Sequence, residues 1–461
     1  MEEFYKDMIQ VVKKDPYRPI FHFIAPANWM NDPNGPIFYK GEYHMFYQHN
    51  PFETILSNIH WGHAKSKNLV NWEYLPMALA PSAEKNEWGC WSGCCVNNND
   101  FPTIFYTSVR TDKSPKIYSE QWMATSTDDM ITWQKYEGNP VMTLDLHGDL
   151  EIQDWRDPYV WKEGEYWYMV LGGHTIHPKK PAVFLYKSRD LKNWEFLHPL
   201  CIGEGRVGKN WECPNFFPLA NKYILIVSPH RNVIYNIGKY ENHRFELGEW
   251  FILDYGRSFY APNTMFDEKK RLIMWGWIMG GTKYFQFEKI KGKKTGWNGC
   301  LTLPRLLSLN NYDKLEMRPA PELEILRYNH QKFENITINP TNSLKIENIE
   351  DNCYEILAEI ENIDADSFTF SLFPNNDSVY FDVINKDIKI GKEKAIFTLQ
   401  NKIVLHIFLD RSVLEVYINY QETFTARLYP ENIEETGIEI FTTNGTLNLH
   451  SFNIWNIKTI W

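Results

Sequence analysis

No stretch of this sequence is apolar for long enough to span a bilayer, and its first residues, MEEFYKDMIQVV, carry acids where a secretory leader has a cationic start and an apolar run. Cysteine is scarce and odd in number, 7 in 461 residues. Cys90, Cys94 and Cys95 cluster, but without the paired two-residue spacings of a zinc site or the regular framework of a disulfide scaffold. Scattered N-x-[ST] triplets are of a kind common by chance. These absences predict reduced thiols and a cytoplasmic chain. Long blocks of Lys and Arg are missing too: 48 basic residues face 58 acidic ones, a formal net charge of −10, so neither nucleic acid nor a membrane surface is expected as a partner. No metal or other cofactor is expected. His60 and His63 do not read as a metal pair, because residues three apart on a strand face opposite sides.

What the sequence has in quantity is aromatic residues, 16% of the chain, arranged with a repeat. A pattern of small polar, any, Asn or Asp, Leu or Met, two variable residues and Trp ends at Trp72, Trp133 and Trp194, which lie 61 residues apart on both intervals. Each copy follows a short apolar segment, so a turn carrying Asp or Asn is predicted between adjacent strands. A second element recurs in step with it: a residue, then Pro, then turn residues and an aromatic-rich strand. DPNGPIFYKGEYHMFY starts at Asp32, DPYVWKEGEYWYMV at Asp157, CPNFFPLANKYILIV at Cys213 and APNTMFDEKKRLIMW at Ala261, with a looser copy starting at Gly93. Five units of roughly 50–60 residues, each of several short strands, predict an all-β fold that begins as a five-bladed β-propeller. Interaction propellers of the WD40 type repeat every 40–45 residues or so and carry a signature absent here. From residue 345 the texture changes to alternating strands such as YEILAEIEN and KIVLHIFLD, which predict a C-terminal β-sandwich. The expected organisation is a propeller over 18–320, a linker over 321–344 holding one short helix near Pro321, and a sandwich over 345–461. A helix is also predicted for residues 1–13.

In a propeller the first strand of each blade lines the central channel, so residues at corresponding strand starts converge. Asp32 and Asp157 each precede the repeat's proline, and Glu212 stands one residue further back, before Cys213 and Pro214. Three acids distant in sequence are thereby predicted to share a pocket. Acids so placed repel one another, an arrangement suited to chemistry in which one carboxyl is ionised and another protonated, as glycoside hydrolysis requires.

At these acids the sequence resembles glycoside hydrolase family 32, the invertases and fructanases. HFIAPANWMNDPNG is similar to the family's N-terminal signature, and WRDP (Trp155 to Pro158) and WECPNFF (Trp211 to Phe217) to its other two acidic motifs, in the same order. FYQHNP, HWGHA, WSGC, FYAP, WGW, GCLTLPR and DRSVLEVYIN extend the likeness over most of residues 18–461. The resemblance implies a retaining β-fructofuranosidase acting on sucrose or short fructans, with a small sugar as its partner. It implies Asp32 as nucleophile, Glu212 as general acid/base, and Asp157 as transition-state stabiliser beside Arg156. Asn31, Gln48, Trp61, Trp91 and Ser92 match positions that line the fructose subsite, and Trp29 is expected in a sugar-stacking floor. Cys94 and Ser258 depart from the family pattern, and both are expected to bear on the leaving-group side. A fructosyltransferase, an arabinan-cleaving five-bladed relative and a non-catalytic sugar-binding propeller are the alternatives; the last has no reason to keep all three acids. Flanked by Trp211 and two other carboxylates, Glu212 is expected to have a raised pKa while Asp32 stays ionised.

Overall fold

A computed structural model describes residues 8–110, 118–280, 289–290, 293–374, 378–396, 400 and 402–461. Residues 8–12 are helical, so the helix predicted over 1–13 is present where it is described; residues 1–7 lie outside the described part. Among the described residues no helix is long and apolar enough to cross a membrane.

The repeat is visible in the sheets. Asn28–Tyr39, Glu42–Asn50, His60–Ser66 and Glu73–Leu79 form one antiparallel meander; Glu87–Asn98 opens the next, Ile152–Glu163 a third, Glu212–Leu219 a fourth and Phe259–Phe266 a fifth. These five opening strands touch in a closed cycle, each against the next and the last against the first. Closure is made by Trp297–Asn298, which runs parallel to Asn28 and Trp29, while Cys300–Leu301 pairs with Leu272–Ile278.

The tryptophan repeat is the turn between the third and fourth strands. Ser66, Ser126 and Ser188 each place their hydroxyl 2.9–3.2 Å from Asn68, Asp128 and Asp190. Those acids or amides in turn accept from backbone N–H groups further on, so the side chain closes the turn. Leu69, Met130 and Leu191 are left-handed at φ 65°, 67° and 67°, and all three are buried. The apolar side chain anchors a conformation that costs energy for a residue with a Cβ.

The second half is two six-stranded sheets, one ordered Arg327–Ile338, Leu447–Ile457, Cys353–Glu361, Lys402–Asp410, Val413–Ile418, Glu422–Arg427, the other running from Leu344–Ile346 to Glu393–Ile396. Ile356, Leu405, Ile407, Phe370, Phe381 and Ile440 meet in the layer between them. The stretch 321–344, read from the sequence as a linker with a short helix, holds a 3-10 helix at Pro321–Leu326 and then a 12-residue strand, Arg327–Ile338, belonging to the first of these sheets. That strand lies at the sheet edge and is exposed or half-exposed along nearly all its length, so its sequence, RYNHQKFENITI, lacks the alternation that reveals a half-buried strand.

Candidate active site

Each acid sits where an opening strand departs from regular pairing. The ladder slips between Met30 and Pro33, between Val170 and Gly172 opposite Arg156, and between Glu212 and Asn215. Asp157 and Cys213 are left-handed there, at φ 65° and 47°, and so is Ala261 at 44°. Each precedes proline, which disfavours helical conformations and pushes its predecessor toward extended backbone, so these residues are strained. A bulge of this kind re-aims side chains at a strand end. Asp32, Asp157 and Glu212 are brought together by it, each 6–8% exposed.

Cys213 ties the group. Its backbone N–H donates to Asp157 Oδ2 at 2.9 Å, and its Sγ stands 3.5 Å from both Asp157 Oδ2 and Asp32 Oδ2. Burial and the flanking carboxylates push the thiol well up, so it stays protonated. Asp32 also accepts from Ser92 Oγ at 2.5 Å and from Asn31 Nδ2 at 3.1 Å, and Asn31 donates to Gln48 Oε1 at 2.8 Å. Gln48 donates to Ser92, so Asn31, Gln48 and Ser92 form one network around Asp32. The backbone N–H of Asp157 donates to Thr107 Oγ1 at 2.9 Å.

Glu212 has different company. Arg156 Nη2 donates to its Oε1, His230 Nε2 lies 3.2 Å from the same oxygen, and Tyr260 donates to Oε2 at 2.5 Å. The guanidinium of Arg156 also lies over the Trp91 ring, 5.5 Å from its centroid.

These surroundings reverse the expected protonation. Burial alone would push the Glu212 carboxyl up, but Arg156, His230 and Tyr260 together outweigh it and hold the group at about 2. For Asp32 burial prevails over the Ser92 and Asn31 hydrogen bonds, and with the charge of Asp157 it pushes the carboxyl up to about 7. Asp157 is pushed by burial to about 6, against the pull of Arg156. Without substrate, Glu212 is the ionised member and the aspartates are the reluctant ones, contrary to the sequence expectation. The cations that decide this come from a neighbouring strand and from a loop past the next strand, so nothing beside Glu212 in the chain announced them.

Two tryptophans act from behind the surface. Trp61 is fully buried and supports the site by donating to the Trp91 carbonyl at 3.1 Å. Trp29, 4% exposed, packs edge-on against Trp277 and donates to Asn31 Oδ1 at 2.7 Å, so it positions an amide where a stacking floor was expected. Cys94 is buried in a core between sheets, with Phe105, Met123 and Val160. Sequence reasoning passed over His230 and the role of Tyr260; the FYAP segment marked Tyr260 only as part of a likeness.

Comparison with known proteins accords with this geometry. The model of the glycosyl hydrolases family 32 N-terminal domain matches residues 22–319, and that of the family 32 C-terminal domain matches residues 322–456. A sucrose-6-phosphate hydrolase of Zymomonas mobilis is 34% identical over 95% of this chain and 92% of its own length, and a raffinose invertase of Escherichia coli is 30% identical over 95% and 94%. The solved structure of a Bombyx mori β-fructofuranosidase superposes with a TM-score of 0.84 at 29% identity, over 100% of this chain and 97% of that one. The three acids and the two domain matches lead to one conclusion: the chain belongs to glycosyl hydrolases family 32, and it is a glycoside hydrolase.

Proposed function

We propose that the protein is a retaining β-fructofuranosidase that cleaves the terminal β-D-fructofuranosyl bond of sucrose or a short fructan by double displacement. The scaffold is read as a five-bladed propeller over 18–320 with a sandwich behind it, supported by the closed cycle of opening strands. Asp32 attacks the anomeric carbon, Glu212 protonates the departing oxygen and then deprotonates water, and Asp157 holds fructosyl hydroxyls. Asn31, Gln48 and Ser92 orient Asp32, while Trp91 and Arg156 border the bound sugar. The observation that carries this reading is the split in environment: two aspartates share Cys213, while Glu212 takes the direct contacts of Arg156 and His230 and leaves Asp157 only a longer one, 3.9 Å from Arg156 Nε. A pair of carboxyls with separated proton affinities is what acid/base and nucleophilic roles need.

The split also states what substrate must do. Asp32 has to ionise and Glu212 has to take up a proton, so sugar hydroxyls donate to the aspartates while Arg156 turns from Glu212 toward the ring. The free protein then titrates in an order opposite to the working one. The kcat/KM profile is a bell whose alkaline limb follows deprotonation of the coupled Asp32 and Asp157, raised to about 7 and about 6, and whose acid limb follows protonation of Glu212. An alkaline limb above pH 8 or so would assign the limiting proton to another group.

The direct test is stereochemical. Rapid NMR on sucrose cleavage is expected to show β-fructofuranose as the first product, and an inverted first product would remove Asp32 as nucleophile. Glu212→Gln is expected to be nearly inactive on sucrose yet to form the glycosyl-enzyme from a β-fructoside with an activated leaving group.

A further inference from the structure

Arg156 and Glu212 belong to different sheets, so their pairing depends on what fixes one segment to the other. The strand Tyr166–Thr175 does this near its end. Gly172 is the register partner of Arg156, and Gly173 bridges to Trp211, whose N–H lies 3.4 Å from the Gly173 carbonyl. A Cβ on Gly172 would collide with the Trp211 carbonyl, so the approach is open only to glycine. Opposite Gly173 the strand of Arg156 bulges, setting Asp154 and Trp155 against one residue, and Asp154 is left-handed at φ 54°.

The next residue, His174, is 2% exposed and reaches both segments. Its Nδ1 lies 2.9 Å from Asn210 Oδ1, and because an amide oxygen only accepts, the ring proton sits on Nδ1. The same nitrogen is 3.7 Å from Asp154 Oδ2. Asp154 and Asn210 stand two places before Arg156 and Glu212 respectively. Asp154 also meets Arg156: its Oδ1 is 3.5 Å from Nη1, and its backbone carbonyl accepts from Nη1 at 3.1 Å, while Nη2 donates to Glu212. The contacts close a ring, from Asn210 through His174, Asp154 and Arg156 to Glu212 and back along the chain.

Stability alone does not account for this joint. His174 Nε2 and Asn210 Nδ2 are buried with no hydrogen-bond partner among the described residues, whereas an apolar pair of the same shape would leave nothing unsatisfied. Position is what the joint supplies. Burial would push the Glu212 carboxyl up, and Arg156 is foremost among the groups that outweigh burial and hold it at about 2. Glu212 faces Arg156, His230 and Tyr260 directly, and Cys213, Asp157 and Asp32 through their charge or proton; Asp154 faces Arg156 and His174, and its charge also reaches His230.

We propose that His174 is a positioning residue for the general acid: its bridge from Asn210 to Asp154 sets the Arg156 guanidinium against Glu212 and so governs how Glu212 delivers its proton to the departing oxygen. This rests on the reading of Glu212 as general acid/base and adds what aims that acid. Arg156 has one Nη for each carboxylate, so it turns from Glu212 toward the sugar about Asp154 as a pivot, and His174 holds the pivot still.

The experiment measures kcat/KM of the full chain and its variants on sucrose, whose leaving group needs protonation, and on para-nitrophenyl β-D-fructofuranoside, whose leaving group does not. His174→Leu keeps the bulk and removes the donor. It is expected to lower kcat/KM on sucrose by about tenfold or more and on the nitrophenyl substrate by about twofold or less, and to move the acid limb of the sucrose profile upward by about a unit. His174→Asn, which puts an amide N–H near the place of the ring N–H, is expected to recover sucrose activity to within about threefold of the wild type. Asn210→Ala breaks the bridge from its other end and is expected to reproduce the His174→Leu pattern. An equal loss on both substrates, an unmoved acid limb, or a His174→Asn variant no better than His174→Leu overturns the positioning role and leaves His174 as packing. If Glu212→Gln lowers the nitrophenyl rate as steeply as the sucrose rate, what falls is instead the reading of Glu212 as the acid, on which that role depends.

Discussion

The molecule holds two clusters built from the same parts, three carboxylates, one arginine and one histidine, buried throughout except for the partly buried Arg156 and the exposed His230. At the candidate active site they are Asp32, Asp157, Glu212, Arg156 and His230. Between the two halves of the chain they are Asp254, Asp410, Glu415, Arg305 and His22. In the second cluster every carboxylate oxygen accepts hydrogen bonds. Arg305 donates to Asp254 Oδ2 at 2.8 Å and to Glu415 Oε2 at 2.7 Å, His22 bridges Asp410 at 2.9 Å and Glu415 at 3.1 Å, and Thr425, Tyr417 and the backbone of residues 20–22 and 303 supply the rest. Burial pushes Glu415 up and is outweighed by Arg305 and His22, which hold it at about 2; the same hydrogen bonds keep His22 raised despite its own burial. The active-site cluster gives the direct contacts of its cations to Glu212, with Arg156 at a longer 3.9 Å from Asp157, and leaves two aspartates raised. Equal inventories thus give a fastener where all is satisfied and a reactive centre where it is not.

The contrast can be broken most forcefully at Asp32. Asp32→Ala is expected to lower kcat by about 10³-fold or more with circular dichroism unchanged; a variant retaining more than about a tenth of wild-type kcat ends the assignment. At the fastener, Glu415→Ala leaves Arg305 with Asp254 and His22 with Asp410 as their remaining carboxylates in a dry interior, and a loss of about 3–5 kcal/mol in unfolding free energy is expected from denaturant titration. A loss below about 1 kcal/mol would mean that water enters and replaces the carboxylate. Stability should move the other way at the active site. The Asp32 carboxyl is raised in the folded protein, so its contribution is present below its unfolded value and is lost as pH rises through about 7. Asp32→Asn, which cannot ionise, is therefore expected to be more stable than the wild type at pH 8, by on the order of 2–4 kcal/mol, with little difference near pH 4. The smallest effect is at His230. Its removal takes a cation from Glu212, so His230→Ala is expected to shift the acid limb of the kcat/KM profile on sucrose upward by about a unit or less; an unmoved limb would leave Arg156 and Tyr260 as the whole cause.

Much of the first cluster could be read in the chain because a repeat marks it: Asp32 and Asp157 precede the proline of the first and third units, and Glu212 stands one residue before that place in the fourth. His230 carries no such mark, since it reaches Glu212 only when a loop of the same unit folds back; Tyr260 stands one residue before the repeat at Ala261, as Glu212 does before Cys213, but a tyrosine there does not read as a partner for an acid. The second cluster was written in plain view, in HF at His22, GCLTLPR ending at Arg305 and DRSVLEVYIN from Asp410, but only as likeness. Its residues are 388–393 positions apart across the His22 contacts, and no local pattern tells which side chains will share a dry space. The strand Arg327–Ile338 escaped for the opposite reason, having too little buried face to leave a pattern.

The seam at Trp297 and Asn298 sets a timetable. Asn28 N–H donates to the carbonyl of Gly296 at 2.8 Å, and Asn28 and Trp29 pair with a strand that leaves the ribosome about 270 residues after them. At 5–20 residues per second that is an interval of roughly 15–55 s in which the segment holding Asp32 has been made and cannot yet be held in place. A newborn chain therefore carries all three acids well before it owns a site, and the aromatic strands of the first unit wait through that interval with their closing partner still unsynthesised.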